Sequence, residues 1–259
     1  MKLDVLLSAM YLKDQSILEK LNISSNVIVI NQCDEENDYT HINAVGKNIR
    51  FISTKERGLS KSRNMAIDNS DADICILCDN DVKYHNDYEK IIVSAFEKYK
   101  DADICVFFIR RPERTNPLTT KECDLGYLKA MKIFSPEIAF KRKSISDLRF
   151  NEEFGAGAKY GMGEENIFLW QAKKSGLKIK YIPTEIAQTI PNESTWFKGY
   201  TNEFFRNRGA GYYAMSQSLW WVLCLQFAIR KIKLYRNDNS FFNALKYMYL
   251  GKVEYKKSI

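Results

Sequence analysis

No stretch of the 259-residue chain reaches ~18 consecutive apolar residues, so no bilayer-spanning helix is expected. The N-terminus, MKLDVLLSAMYLKD, has an acid at Asp4 and no long apolar run ending in a small-residue cleavage site. It does not read as a secretory signal, and a cytoplasmic location is expected. A second C-x-x-C is missing too. Cys75 and Cys78 have the spacing of half a zinc site, but they fall in a strand-like run, DADICILCDND, where that offset points them to opposite faces. They, with Cys33, Cys105, Cys123 and Cys224, are expected to be reduced thiols. Internal repetition stops at two copies of DADIC, at 71–75 and 101–105, too few for a solenoid. Composition is not skewed either: 45% apolar and 27% charged residues exclude a disordered or collagen-like chain. The length suits one large domain, or one and a half small ones.

What the chain does have is charge confined to one end. The net charge is +7, yet residues 1–197 are about neutral, at −1, while from Lys198 onward eleven Lys and Arg face three acids. A uniformly basic nucleic-acid binder is not built this way, so no nucleic-acid partner is expected. An acidic surface facing one end, such as an anionic membrane leaflet, suits the pattern better. Within that end, Leu219–Ile229 (LWWVLCLQFAI) is strongly apolar but too short to span, and Arg230, Lys231, Lys233 and Arg236 follow it. It reads either as a core helix or as a helix lying in a membrane surface over residues 216–236.

The first half alternates short apolar runs with helical stretches. Leu3–Ser8, Asn26–Asn31, Ile49–Ser53, Ile74–Cys78 and Ile104–Ile109 read as buried strands. Helices are expected over Asp14–Leu21, Ser60–Asn69 with Ser60 as N-cap, and Asp87–Tyr99. Arg110–Asp124 reads as a crossing loop, Ile138–Lys141 and Lys178–Ile182 as strands, and Glu164–Ser175 as a helix closed by Gly176. Strand–helix alternation implies an α/β fold with a mostly parallel, Rossmann-like sheet flanked by helices. Ligands in such sheets bind beyond the carboxyl ends of the strands, here after Ser8, Asn31, Ser53 and Cys78.

Three motifs lie at such places. Asp79-Asn80-Asp81 ends a buried strand, where two carboxylates are costly unless a cation neutralises them. Hard oxygen ligands suit Mg²⁺ or Mn²⁺ carrying phosphate oxygens, although an ordinary polar strand end has the same composition. Glu56–Asn64 places Gly58 before a helix N-terminus with Arg57, Lys61 and Arg63 nearby, a pattern that holds phosphates. Gly161-Met162-Gly163-Glu164-Glu165-Asn166 runs glycines into a helix opening on two acids. These acids either cap the helix dipole or supply a general base, with the helix field expected to hold its pKa low.

RGLSKSRNMAI, DADICILCDNDV and GMGEEN, in this order and spacing, resemble glycosyltransferase family 2, the nucleotide-diphospho-sugar transferases of GT-A fold, over about residues 1–195. The resemblance implies a nucleotide-binding half at 1–110, an acceptor-binding half at 111–195 and a helical, basic, aromatic extension at 196–259. It also implies that Ser8, Ala9, Met10, Asn31 and Gln32 form the base-binding edge. Arg57, Ser60 and Arg63 would contact base or diphosphate, Asp79 and Asn80 the ribose side, and Asp81 with Asp79 the metal. Glu165 matches the catalytic base, with Glu164 helping to orient the acceptor.

Departures accompany it. Asn31-Gln32 replaces the usual acidic pair, the base is Glu rather than Asp, and neither His41 nor His85 stands where many relatives carry a metal-binding histidine; the expectation is that Thr189 or another oxygen donor substitutes, or that metal binding is weak. The implied reaction is an inverting single displacement from a UDP-sugar to a saccharide acceptor, assisted by Mn²⁺ or Mg²⁺. Acceptor contacts are expected from Arg110–Leu125 and from Pro191 onward, with Trp196, Tyr200, Trp220, Trp221 and Gly209–Tyr213 as stacking candidates. The basic tail suggests a lipid-linked acceptor and peripheral attachment to the inner face of the plasma membrane, in surface polysaccharide assembly. Two other readings stand beside this one: a degenerate relative that binds nucleotide sugar without turnover, and a nucleotidyltransferase, although the loop SAMYLKD after the first strand lacks that class's glycines.

Overall fold

The apolar runs become the interior strands of one ten-stranded sheet. The structure, a computed structural model, describes residues 1–43, 46–191, 197 and 199–259. The strands are β1 (Leu3–Met10), β2 (Asn26–Gln32), β3 (Asn37–Ile42), β4 (Asn48–Thr54), β5 (Ile74–Asp79), β6 (Val82–Tyr84), β7 (Ile104–Arg110), β8 (Cys123–Asp124), β9 (Ile138–Lys141) and β10 (Ile179–Thr189). Their order is β3-β4-β2-β1-β5-β9-β7-β10-β6, with β8 on β10. The block β4-β2-β1-β5 is parallel throughout, as is β7 with β10. Antiparallel strands are added at β9 and at both edges.

Alternation along each strand feeds two cores. Val5, Leu7, Val29 and Ile76 meet α1 (Ser16–Lys20) and α3 (Tyr88–Lys98) on one face. Leu6, Ile28, Ile30 and Leu77 meet α2 (Leu59–Asp68) and α5 (Glu164–Lys174) on the other. Each fully buried Leu, Ile or Val contributes ~1.5–3 kcal/mol. Cys75 lies in the second core and Cys78 in the first, so they cannot share an ion; both are free thiols, and burial pushes Cys75 up to about 12.

The short helix α4 (Tyr127–Ala130) follows β8 in the chain and packs against α5. After β10 the chain is helical: α6 (Asn202–Met215), α7 (Trp220–Arg230), α8 (Ile232–Tyr235) and α9 (Phe241–Lys256). These helices join the second core through Phe205, Tyr212, Phe227, Ala244 and Met248. α6 and α9 touch backbone to backbone: a Cβ on Gly209 would overlap the Met248 carbonyl, and one on Gly251 the Arg206 carbonyl. Gly209–Tyr213 is therefore packed interior, which removes it from the stacking surfaces expected for an acceptor. Trp196 and the boundary expected at 195/196 lie outside the described residues.

Some elements differ from expectation. The N-cap of α2 is Gly58, at φ +121, a conformation open to glycine and strained for other residues. Ser60 is thus one residue inside the helix, and its hydroxyl donates to the Phe154 carbonyl at 2.6 Å. β3 and β6 are additional strands, and the crossing loop contains β8. Gly176, at φ +83, closes α5 as its position suggested.

Candidate active site

The carboxyl ends of β1, β2, β4 and β5 lie side by side, with Ser8 in register against Asp79 and Met10 against Gln32. Ser8 is buried and accepts a hydrogen bond from the Ser62 hydroxyl at 2.8 Å, fixing α2 over β1. Ala9 is buried and Met10 half-exposed at the rim. Asn31 is buried and clamps the loop after β1: its Oδ1 accepts from the Leu12 N–H at 2.8 Å, and its Nδ2 donates to the Leu12 carbonyl at 3.2 Å. Gln32 Oε1 accepts from the Gly58 N–H at 2.7 Å, holding the turn into α2. Both amides shape the rim through backbone contacts, a use the residue pattern did not indicate.

The two arginines of the Glu56–Asn64 motif differ. Arg57 lies at the rim, 2.6 Å from the exposed Asp34 carboxylate and 5.5 Å over the Tyr11 ring. Arg63 is 1% exposed, and its guanidinium reaches Asp79 at 3.0 Å and Glu164 at 2.8 Å. Arg63 therefore joins the end of β5 to the start of α5, beneath the surface rather than at it. Burial works against its charge, but the two carboxylates keep its pKa raised.

Each carboxylate has a neighbour that Arg63 does not touch. Asn80 is exposed, and the chain then turns into β6. One oxygen of Asp81 is buried with no hydrogen-bond partner among the described residues. Burial first, and the Asp79 charge next, raise its pKa. The backbone around it is anchored, with the Ile190 N–H donating to the Asp81 carbonyl at 2.7 Å and Thr189 opposite Val82. Thr189 is thus brought beside the acidic turn. His85 instead pairs with Glu185 at 3.1 Å, and His41 stands on the edge strand β3.

No group of three or more His, Cys, Asp or Glu among the described residues forms a metal cage. The donors present still suit a hard divalent cation. An orphaned carboxylate oxygen in a partly buried acidic turn is the demand such an ion meets, with phosphate oxygens completing its shell.

At the other end, Gly163 (φ +91) opens α5 directly onto Glu164 and Glu165. Glu165 does not have the low pKa expected from the helix field. Burial first, and the adjacent Glu164 carboxylate next, push it up to about 8, outweighing its backbone hydrogen bond and Arg63. Arg111, inside the loop expected to face the acceptor, is near enough for the Glu165 charge to raise its pKa, although burial lowers it overall. No motif marked this residue; a cation following β7 was the available signal. A larger hollow of about 640 Å³, lined by Asp14, Glu19 and His41 among others, lies along α1, apart from these carboxylates.

The family comparison makes the chain a glycosyltransferase. The chain belongs to glycosyl transferase family 2, whose model matches residues 15–158. No curated protein matches the sequence. Among solved structures it is similar to S. aureus TarS 1–349 in complex with UDP-GlcNAc, at TM-score 0.68 and 12% identity, covering 98% of this chain and 89% of that one. The same protein in complex with UDP gives TM-score 0.62 at 13% identity, with 92% and 74% covered. The mannosyltransferase PcManGT from Pyrobaculum calidifontis, in complex with GDP-Man and Mn²⁺, gives 0.54 at 12% identity, with 100% and 76% covered. At these identities the likeness shows the fold, a GT-A α/β architecture.

Proposed function

We propose that the protein is an inverting glycosyltransferase that moves a sugar from a UDP-sugar to a hydroxyl of a saccharide acceptor. The observation that carries this reading is the paired disposition of acids about Arg63, which leaves Asp81 and Glu165 each without an ion-pair partner among the described residues. In the proposed reaction the acceptor oxygen forms a bond to the anomeric carbon as the bond from that carbon to the diphosphate oxygen breaks. The acceptor proton passes to Glu165, whose raised pKa of about 8 makes the ionised carboxylate a stronger base, active as pH rises toward that value. Asp81, with Asp79, would hold Mn²⁺ or Mg²⁺, which neutralises charge on the departing diphosphate. Arg57 exchanges its exposed Asp34 partner for the diphosphate or base. Met10 and Asn80 border the donor at the rim, while Ser8, Ala9, Asn31, Gln32, Ser60 and Arg63 set the shape of that rim from below. Thr189 is the nearby neutral oxygen donor.

Calorimetric titration of UDP with and without Mn²⁺ tests this, on wild type and Asp81→Ala. Metal-dependent binding lost in the variant is the expected result. Absence of binding to wild type in both conditions overturns the donor assignment. Release of pyrophosphate instead of UDP in turnover would identify a nucleotidyltransferase.

The acceptor is proposed to be lipid-linked, in surface polysaccharide assembly such as capsule, O-antigen or exopolysaccharide, with the enzyme peripheral on the cytoplasmic membrane face. Helix α7 supports this. Leu223, Cys224, Phe227 and Ala228 enter the core, while Trp221, Val222, Leu225 and Ile229 stay exposed beside Arg230, Lys231 and Lys233. No helix among the described residues is long and apolar enough to cross a membrane. Deleting the tail would strip α9 from α6, so surface substitutions are the better test. Replacing Arg230, Lys231 and Lys233 with Gln should weaken flotation with phosphatidylglycerol vesicles by ~1 kcal/mol per charge. Unchanged flotation would sink the membrane assignment.

A further inference from the structure

A second hollow, of about 300 Å³, lies between the 156–162 loop and the first turns of α6. Its loop wall touches both halves of the reaction site. Ala156, in that wall, accepts a hydrogen bond through its carbonyl from the Leu59 N–H of α2 at 2.9 Å. Gly161 and Met162 form the same wall and lead through Gly163 into Glu164 and Glu165. The opposite wall is built from Thr201, Glu203, Phe204 and Asn207, with Phe197 at the edge.

Asn207 is the informative residue. It is 8% exposed overall and lines the hollow. Its Nδ2 faces Gly161, where an added Cβ would stand 3.8 Å away. An amide carries two donors and an acceptor, and at the wall of this hollow they are placed to meet the hydroxyls of a ligand. The aromatic side chains Phe197 and Phe204 offer apolar surface at its side, with ring centroids 5.8 Å apart. Glu203 is the one ionisable side chain among the described lining residues, and it is acidic.

We propose that this cavity is the acceptor subsite and that it takes an uncharged, hexose-sized sugar ring. The inference rests on the transferase reading above and names its acceptor class. The volume is at the lower end of small-molecule pockets, enough for one ring and its linkage. Ring hydroxyls donate to Glu203 and to the Asn207 carbonyl and accept from the Asn207 amide N–H. The apolar face of the ring packs on the phenylalanines. Glu203 disfavours uronates and phosphorylated sugars through like-charge repulsion. A ring seated here lies beside the start of the helix that carries Glu165.

The test is ligand-observed NMR titration of the full chain with methyl gluco-, galacto- and mannopyranosides and with methyl glucuronate. Wild type, Asn207→Leu, Ala156→Leu and Glu203→Gln are compared, and UDP with Mn²⁺ is titrated in parallel. At least one neutral hexoside should saturate wild type, and glucuronate should bind more weakly. Asn207→Leu and Ala156→Leu should each weaken hexoside binding about tenfold while UDP binding stays unchanged. Glu203→Gln, on the exposed side, should narrow the gap between hexoside and glucuronate. Ala156→Leu adds volume at an exposed position, so it remains informative if Asn207→Leu folds poorly. The proposal is overturned if no hexoside saturates wild type, if the variants bind hexosides as wild type does, or if glucuronate binds best. Failure of UDP to bind wild type sinks the donor assignment alone, since hexoside binding is read separately.

Discussion

Two acidic pairs meet in this site, one at the end of β5 and one at the start of α5, and Arg63 serves one member of each. It reaches Asp79 at 3.0 Å and Glu164 at 2.8 Å. The members left over differ. Asp81 has a buried oxygen with no donor among the described residues, in a turn pinned by backbone, while Glu165 stands on a helix beside a second carboxylate and near Arg111. Both have raised pKa values, and burial is the first cause in each. The physical lesson is that one buried guanidinium can bond one acid of each pair, and its single charge leaves the other two acids to find their own partners. Under the proposed mechanism the strand-end acid finds a cation and the helix acid the acceptor's proton.

The sharpest break in the comparison is Glu165→Gln. It keeps size and hydrogen-bonding shape but removes the proton acceptor, so turnover should fall ~10²–10⁴-fold. UDP binding with Mn²⁺ should be unchanged, because that depends on the other pair. The variant should also melt higher than wild type at pH 8. A carboxyl whose folded pKa lies above its ordinary 4.5 opposes folding once ionised, and stability falls as pH rises from there to about 8. Calorimetric melting at pH 5 and pH 8 checks this: the gain should appear at pH 8 and shrink at pH 5. Equal turnover in the variant would remove Glu165 from the reaction.

Removing the shared arginine tests whether the pairs are linked. Arg63→Met leaves Asp79 and Glu164 as acids without their cation, at a cost of ~3–5 kcal/mol. The unfolding midpoint in urea should drop accordingly, and Arg63→Lys should recover part of it, since a single ammonium cannot span both carboxylates as the guanidinium fork does. If Arg63→Met unfolds as wild type does, the bridge is dispensable and the symmetry is coincidental.

Much of this frame was legible in residues. Continuous apolar runs announced β1, β2, β5 and β7 because strands buried on both faces have no polar face to show. β3 stayed hidden for the opposite reason: Asn37–Ile42 is an edge strand with almost every side chain in water. The acids at 79, 81, 164 and 165 stood out through their place next to strand and helix ends. Which basic residue they used did not. Arg57, Lys61 and Arg63 look equivalent in sequence, and Arg63 is selected by the register of α2, whose Ser62 packs on Ser8 of β1. Its bond to Glu164 spans 101 residues, which no local pattern encodes. The high pKa of Glu165 was missed because the helix field is a local signal, whereas burial depends on how the whole domain closes around it.

Glu164 sharpens the comparison further. Its charge is the second cause raising Glu165, and it also occupies Arg63. Glu164→Gln should therefore move the acidic limb of the kcat/KM profile to lower pH, by about one unit, with tenfold change per unit along the limb. In wild type that limb should turn near pH 8. A limb that stays in place, or moves up, would show that Glu164 does not set the protonation of its neighbour.

The smallest effect is expected at Arg57, six residues before Arg63 and opposite to it in circumstance. Its partner Asp34 is exposed, and its contact with Tyr11 is at the rim. An exposed ion pair is screened by water and contributes little to folding. Arg57→Gln should leave the unfolding midpoint where it is. The same exposure makes the guanidinium available: it can leave one carboxylate for a diphosphate without uncovering a buried charge. UDP affinity should therefore fall several-fold, and less so at high salt, where the charge is already screened. If Arg57→Gln instead destabilised the fold as Arg63→Met is expected to, the division between a buried arginine that organises the acids and an exposed one that addresses the ligand would fail.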